Sequence, residues 1–105
     1  VTASAAPLAC LYLAFPAALE EEILDICHAA PDLPGITVHE ASGYGAGARL
    51  QTVEEAVRGR SRRRVLVAVA PPAVLATLVE SLRAALPTPD VAWWQVPVAA
   101  FGRLA

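Results

Sequence analysis

The chain has 105 residues, enough for one domain spanning 1–105, and 56% of them are hydrophobic. Its formal net charge is −2, from 10 acidic and 8 basic residues, which argues against a nucleic-acid-binding domain because those are usually basic overall. No apolar run approaches the roughly 20 residues of a membrane helix, and two cysteines do not make a disulfide scaffold.

Leu8–Phe15 is a nearly continuous apolar run closed by Pro16, the pattern of a buried strand. Ala17–Ala30 follows with Leu19, Ile23, Ile26 and Cys27 at helical spacing, so a helix is expected with these on one face. Glu20, Glu21 and Glu22 fall in its first turn, where the helix dipole favours anions. Pro31-Asp32-Leu33-Pro34-Gly35 ends it. Ile36–Ala41 reads as a second strand with Ile36, Val38 and Glu40 on one face.

A long connection is expected over Gly43–Arg64. It carries Gly43, Gly45 and Gly47 and, between Arg58 and Arg64, five of the eight basic residues. Loops of this length are uncommon in compact domains and are usually functional or disordered. Thr52 and Glu55 have capping-box spacing, so a short helix near 53–57, stopped by Gly59, is expected inside it. Val65–Ala70 is a third strand, apolar on both faces. Pro71-Pro72 opens a second helix to about Leu86, with a stripe of Leu75, Leu78, Val79, Leu82 and Leu86. Pro87–Asp90 is a turn, and Val91–Val96 is a fourth strand with Trp93 and Trp94 on opposite faces. Pro97–Ala105 is a tail carrying Phe101, Gly102 and Arg103.

The order β-α-β-β-α-β is that of an α+β, ferredoxin-like sandwich: an antiparallel sheet with two helices on one face and a long loop between strands two and three. A solvated second face would show polar alternation. Strands one, three and four lack it, and a domain of this size cannot bury so apolar a composition by itself. The open face is therefore expected to meet other subunits.

The chemistry-bearing residues favour binding over catalysis. The hydroxyls and thiols have no evident base beside them, and no Gly-x-Ser-x-Gly, P-loop or Cys-x-x-Cys motif occurs, so an enzyme is not expected. Cys10, Cys27, His28 and His39 are the only soft or imidazole ligands, and their spacing matches no zinc motif. The central connection has the parts of an anion site. Its glycines let backbone N–H groups approach a ligand, and Arg58, Arg60, Arg62, Arg63 and Arg64 supply forked donors suited to phosphate or carboxylate. The blander alternative is a solvated loop kept soluble by its arginines.

Three stretches resemble the PII-like signalling proteins of the PII/CutA group. Gly43-Tyr44-Gly45 stands where PII proteins have a Gly-aromatic-Gly opening their long T-loop. Arg58-Gly59-Arg60 through Arg64-Val65-Leu66-Val67-Ala68-Val69 resembles the return of that loop into strand three. Pro71–Leu86 resembles the following helix. Trp93-Trp94-Gln95-Val96-Pro97-Val98 with Phe101-Gly102-Arg103-Leu104 is similar to a bacterial branch of PII-like proteins often associated with heavy-metal efflux systems. The resemblance implies a non-enzymatic, cytoplasmic homotrimer. Such a trimer senses a small anionic ligand, such as the adenine nucleotides ADP, ATP or AMP, and signals through loop 43–64 to a protein partner such as a membrane transporter or efflux protein. It is not expected to insert into the membrane or to bind nucleic acid. The resemblance carries over Gly43 and Gly45 at the loop base and Arg103 as a C-terminal basic phosphate contact; with Tyr44 of the glycine motif and the forked donors of the connection, the expected ligand set is Gly43, Tyr44, Gly45, Arg58, Arg60, Arg62, Arg64 and Arg103. The Gly- and Lys-rich loop common between helix two and strand four of PII proteins is replaced by Pro87-Thr88-Pro89-Asp90. The rival expectation is a CutA-like metal-tolerance protein binding copper or another transition metal through Cys10, Cys27 and His39.

Overall fold

The computed structural model describes residues 7–44 and 61–105. β1 (Leu8–Pro16) leads through a 3₁₀ turn (Ala17–Leu19) into α1 (Glu20–Ala29). β2 (Thr37–Gly43) and β3 (Ser61–Ala70) follow, then α2 (Pro72–Ala85) and β4 (Ala92–Val98). The expected order of elements is the one found. The strands form one antiparallel sheet in the order β2-β3-β1-β4, so β1 and β3 are central and β2 and β4 are the edges.

Strand alternation assigns the faces. Leu11, Leu13 and Phe15 of β1 pair with Ala68, Leu66 and Arg64 of β3 and turn towards the helices. With Ile23 and Cys27 of α1 and Leu75, Leu78, Val79 and Leu82 of α2, the apolar members of this set form the core; Leu11, Phe15, Ile23, Leu66, Leu75 and Leu78 are completely buried. The stripe expected on α2 is therefore the packed one, with Leu86 half-buried at its end.

Several boundaries move. Pro16 forces an extended entry, and the first residues of the expected helix form a 3₁₀ turn before α1 begins at Glu20. After α1 the chain reverses at Asp32, whose φ of 63° is in the left-handed region. Asp tolerates that conformation better than most side chains. β2 runs two residues further than expected, to Gly43, because it stays paired with β3 as far as Ser61. Residues 61–64 therefore belong to β3 rather than to the loop.

The other face carries Cys10 and Tyr12 of β1, Val65, Val67 and Val69 of β3, and Trp94 and Val96 of β4. No helix covers it. Trp94 is 46% exposed and Val96 is 40% exposed. Tyr12 and Trp94, directly paired across β1 and β4, stack with ring centroids 5.4 Å apart and planes 6° from parallel. Tyr12 stands on the open face of β1, opposite Val67 of β3.

Candidate anion-binding site

Three consecutive arginines enter β3, and strand geometry divides them. Arg62 pairs with Ser42 and Arg64 with Glu40 on the helix side, while Arg63 pairs with Ala41 on the open side. A cluster in the sequence thus becomes two environments in space.

Arg64 is a structural residue. Its Nε donates to Glu20 Oε1 at 2.8 Å, and its Nη2 lies 3.5 Å from Glu40 Oε1. The Arg64 side chain is only 19% exposed. Its guanidinium ties the start of α1 to the middle of the β2–β3 ladder, so one of the first-turn glutamates read as a dipole partner is also an ion-pair partner. Charge-assisted contacts of this kind already occupy the fork that would otherwise receive an anion.

Arg63 is placed differently. On the open side its Nη2 donates to the backbone oxygen of Asp90 at 2.9 Å and, at 3.4 Å, to that of Ala14. These contacts link β1, β3 and the turn before β4. Nη1 is buried and has no hydrogen-bond partner among the described residues. An unsatisfied buried donor costs about 1–3 kcal/mol, more when charged, and no carboxylate oxygen of the described residues hydrogen-bonds this guanidinium. A cation held in this way has capacity for an incoming acceptor. The sequence signal for it was strand alternation: continued from Val65 and Val67, it puts Arg63 on the open face and Arg62 and Arg64 on the other.

Gly43 ends β2 opposite Ser61, and Tyr44, 66% exposed, follows it. Arg62 is exposed on the outer part of β3. Arg103 is exposed in the tail. β4 carries that tail away from the arginines, since Val98 pairs with Leu8 at the end of β1 opposite to Pro16, the partner of Arg63. Gly45, Arg58 and Arg60, and the expected short helix near 53–57, lie outside the described residues.

The suggested metal ligands are not brought together. Cys27 is on the core face of α1, Cys10 is on the opposite side of the sheet, and His39 is exposed on the edge strand β2, where its Nδ1 lies 3.2 Å from the Glu40 carbonyl oxygen. No group of three His, Cys, Asp or Glu side chains converges among the described residues. Burial pushes the Cys27 thiol up to about 11, away from the thiolate that a metal requires. The Tyr12 hydroxyl titrates above its ordinary value, chiefly through its hydrogen bond with Cys10. No helix among the described residues is long and apolar enough to cross a membrane.

The model of a family described as a protein of unknown function, DUF3240, matches residues 5–105. No functionally curated protein matches the chain. Among solved structures, a DUF3240 family protein from Shewanella baltica superposes with a TM-score of 0.75 at 17% identity, covering 93% of this chain and 97% of that one. CPII, a nitrogen regulatory PII-like protein from Thiomonas intermedia bound to ADP, AMP and bicarbonate, superposes with a TM-score of 0.70 at 19% identity, covering 94% and 97%. A PII-like signalling protein from Thermus thermophilus gives 0.64 at 18% identity, covering 89% and 88%. At these identities the likeness establishes the shared fold.

Proposed function

The chain belongs to the DUF3240 family and has the PII-like fold, and we propose that it is a non-enzymatic regulatory protein that binds a small anion, with an adenine nucleotide as the leading class. The observation that carries this reading is Arg63: a guanidinium held by two backbone carbonyls, with no partner for Nη1 among the described residues, on the open side of the sheet at the end where Gly43 and the Pro87–Asp90 turn lie. That the similarly folded CPII is bound to ADP, AMP and bicarbonate supports the choice of anion.

The assembly in this reading is a homotrimer in which the apolar open face is buried between subunits. Arg103, carried to the opposite end of the sheet from Arg63, would then meet the anion bound by another copy. Ligand binding changes the conformation of the connection between β2 and β3, and that change is read by a protein partner, for which a transporter or efflux protein in the neighbouring membrane is our proposal. The protein itself would be cytoplasmic. In this assignment the anion contact moves from Arg64 to Arg63, because Arg64 is held by Glu20 and Glu40.

Isothermal titration with AMP, ADP and bicarbonate, beside native mass spectrometry, tests the proposal. A trimer that takes up nucleotide at micromolar levels is expected, with affinity reduced about tenfold or more in Arg63→Ala. Absence of binding by all three ligands below millimolar would overturn it.

A further inference from the structure

The helix side of the sheet holds a cavity that the anion site does not use. α1 and α2 pack over the central strands, and no helix among the described residues covers β4, which has no fully buried residue along its length. Between β4, the end of α2 and the Pro87–Val91 turn lies a recess of about 330 Å³. Its floor is core: Leu13, Ile23 and Leu82, each at most 6% exposed. Trp93, which pairs with Leu13 across the sheet, lines it while remaining 46% exposed. Pro87 and Pro89 belong to its wall, and their fixed φ keeps that part of the turn in shape without a ligand.

Of the residues lining the recess, Arg83 alone is charged. Its Nη1 donates to Glu80 at 3.1 Å, but both side chains are more than half exposed, and such i,i+3 surface pairs are weak enough to be exchanged for another anion. Thr88 also lines the recess. Its Oγ1 accepts from the Asp90 N–H at 3.1 Å, which leaves the hydroxyl hydrogen to donate. An apolar, partly aromatic recess of this size with one cation and one hydroxyl has the composition of a small-molecule site.

We propose that this recess binds a flat, apolar organic anion, an aromatic carboxylate in its simplest form, with the ring on the Leu13–Leu82 floor beside Trp93 and the carboxylate on Arg83. Charge complementarity selects the anion, the apolar floor excludes a free inorganic one, and the indole favours a planar body. The recess uses none of the side-chain contacts of Arg63, although the Pro87–Asp90 turn borders both sites, and the Trp93 readout separates it from the nucleotide reading.

The test uses the full ¹⁵N-labelled chain and two probes, 2-naphthoate and its neutral isostere 2-naphthamide, read through the two indole N–H signals, with Trp94→Phe assigning them. The expected result is a saturable shift of the Trp93 signal at one naphthoate per chain with the Trp94 signal unmoved. Affinity should fall roughly fivefold for the amide and by a similar factor in Arg83→Gln, a substitution at an exposed helix position that leaves the fold intact. The proposal is overturned if the Trp93 signal does not shift because a second copy covers the recess, if Trp94 responds instead, or if acid and amide bind equally.

Discussion

The two faces of the sheet are built from similar residues and meet different fates. On the helix side, Leu11, Leu13, Phe15 and Leu66 are shut away by Ile23, Leu75 and Leu78. On the open side, Tyr12, Val65, Val67, Val69, Trp94 and Val96 have no helix above them among the described residues. From Val65 to Ala70 β3 is apolar on both faces, yet its pairing and burial in the chain complete only one side of that pattern. The difference separates what stabilises the chain from what the chain presents to other molecules. Arg64 and Arg63 repeat it at the scale of one strand: the first is clamped by carboxylates on the helix side, and the second is left with donor capacity on the open side.

Substitutions on the two faces should separate the roles. Leu66→Ala removes a completely buried side chain and should cost about 2–5 kcal/mol in urea unfolding at any protein concentration. Val67→Asp, one residue along, should abolish assembly in sedimentation velocity while leaving the far-ultraviolet circular dichroism of the chain unchanged. An unaltered oligomer would end the idea that this face is an interface.

The arginine pair gives the next effect in size. Arg64→Ala should lower stability by about 1–2 kcal/mol, because Glu20 loses its partner at the start of α1, whereas Arg63→Ala should act mainly on nucleotide affinity. Equal losses of stability in the two variants would erase the distinction drawn between them.

The cysteines extend the contrast to pH. The Cys27 thiol, raised by burial from 9.0 to about 11, stays protonated in the folded chain while the unfolded chain releases its proton. Its contribution is present below about pH 9 and is lost as pH rises towards 11, where the unfolded state binds fewer protons. Thermal unfolding should show this decline, and Cys27→Ala should flatten it. The smallest effect is expected from Glu80→Gln, which breaks only an exposed pair and should change stability by no more than about 0.5 kcal/mol.

The order of elements and the packed faces of both helices were legible in the sequence because they rest on periodicity: Leu75, Leu78, Val79 and Leu82 announce a stripe whatever they pack against. The open face was legible for the same reason, since Val65, Val67 and Val69 alternate with core residues. The site was only half legible. The sequence marks the arginines as a run of cations, but a run of like residues says nothing about which member finds a carboxylate. Glu20, 44 positions from Arg64, and the Asp90 carbonyl, 27 from Arg63, become neighbours only when the sheet forms. The recess beside Trp93 left no sequence signal, because it arises from where two helices stop short of an edge strand.

The Tyr12–Trp94 stack has an optical consequence. Excitation of a tyrosine held against an indole passes to that indole, so light absorbed by Tyr12 emerges from the open face. Trp93 emits from the other side of the same strand. A Trp93→Phe chain would therefore carry an intrinsic lamp on one face only, its colour shifting to the blue when another subunit excludes water from Trp94 and back again on dilution. Assembly could be followed in this way without a label.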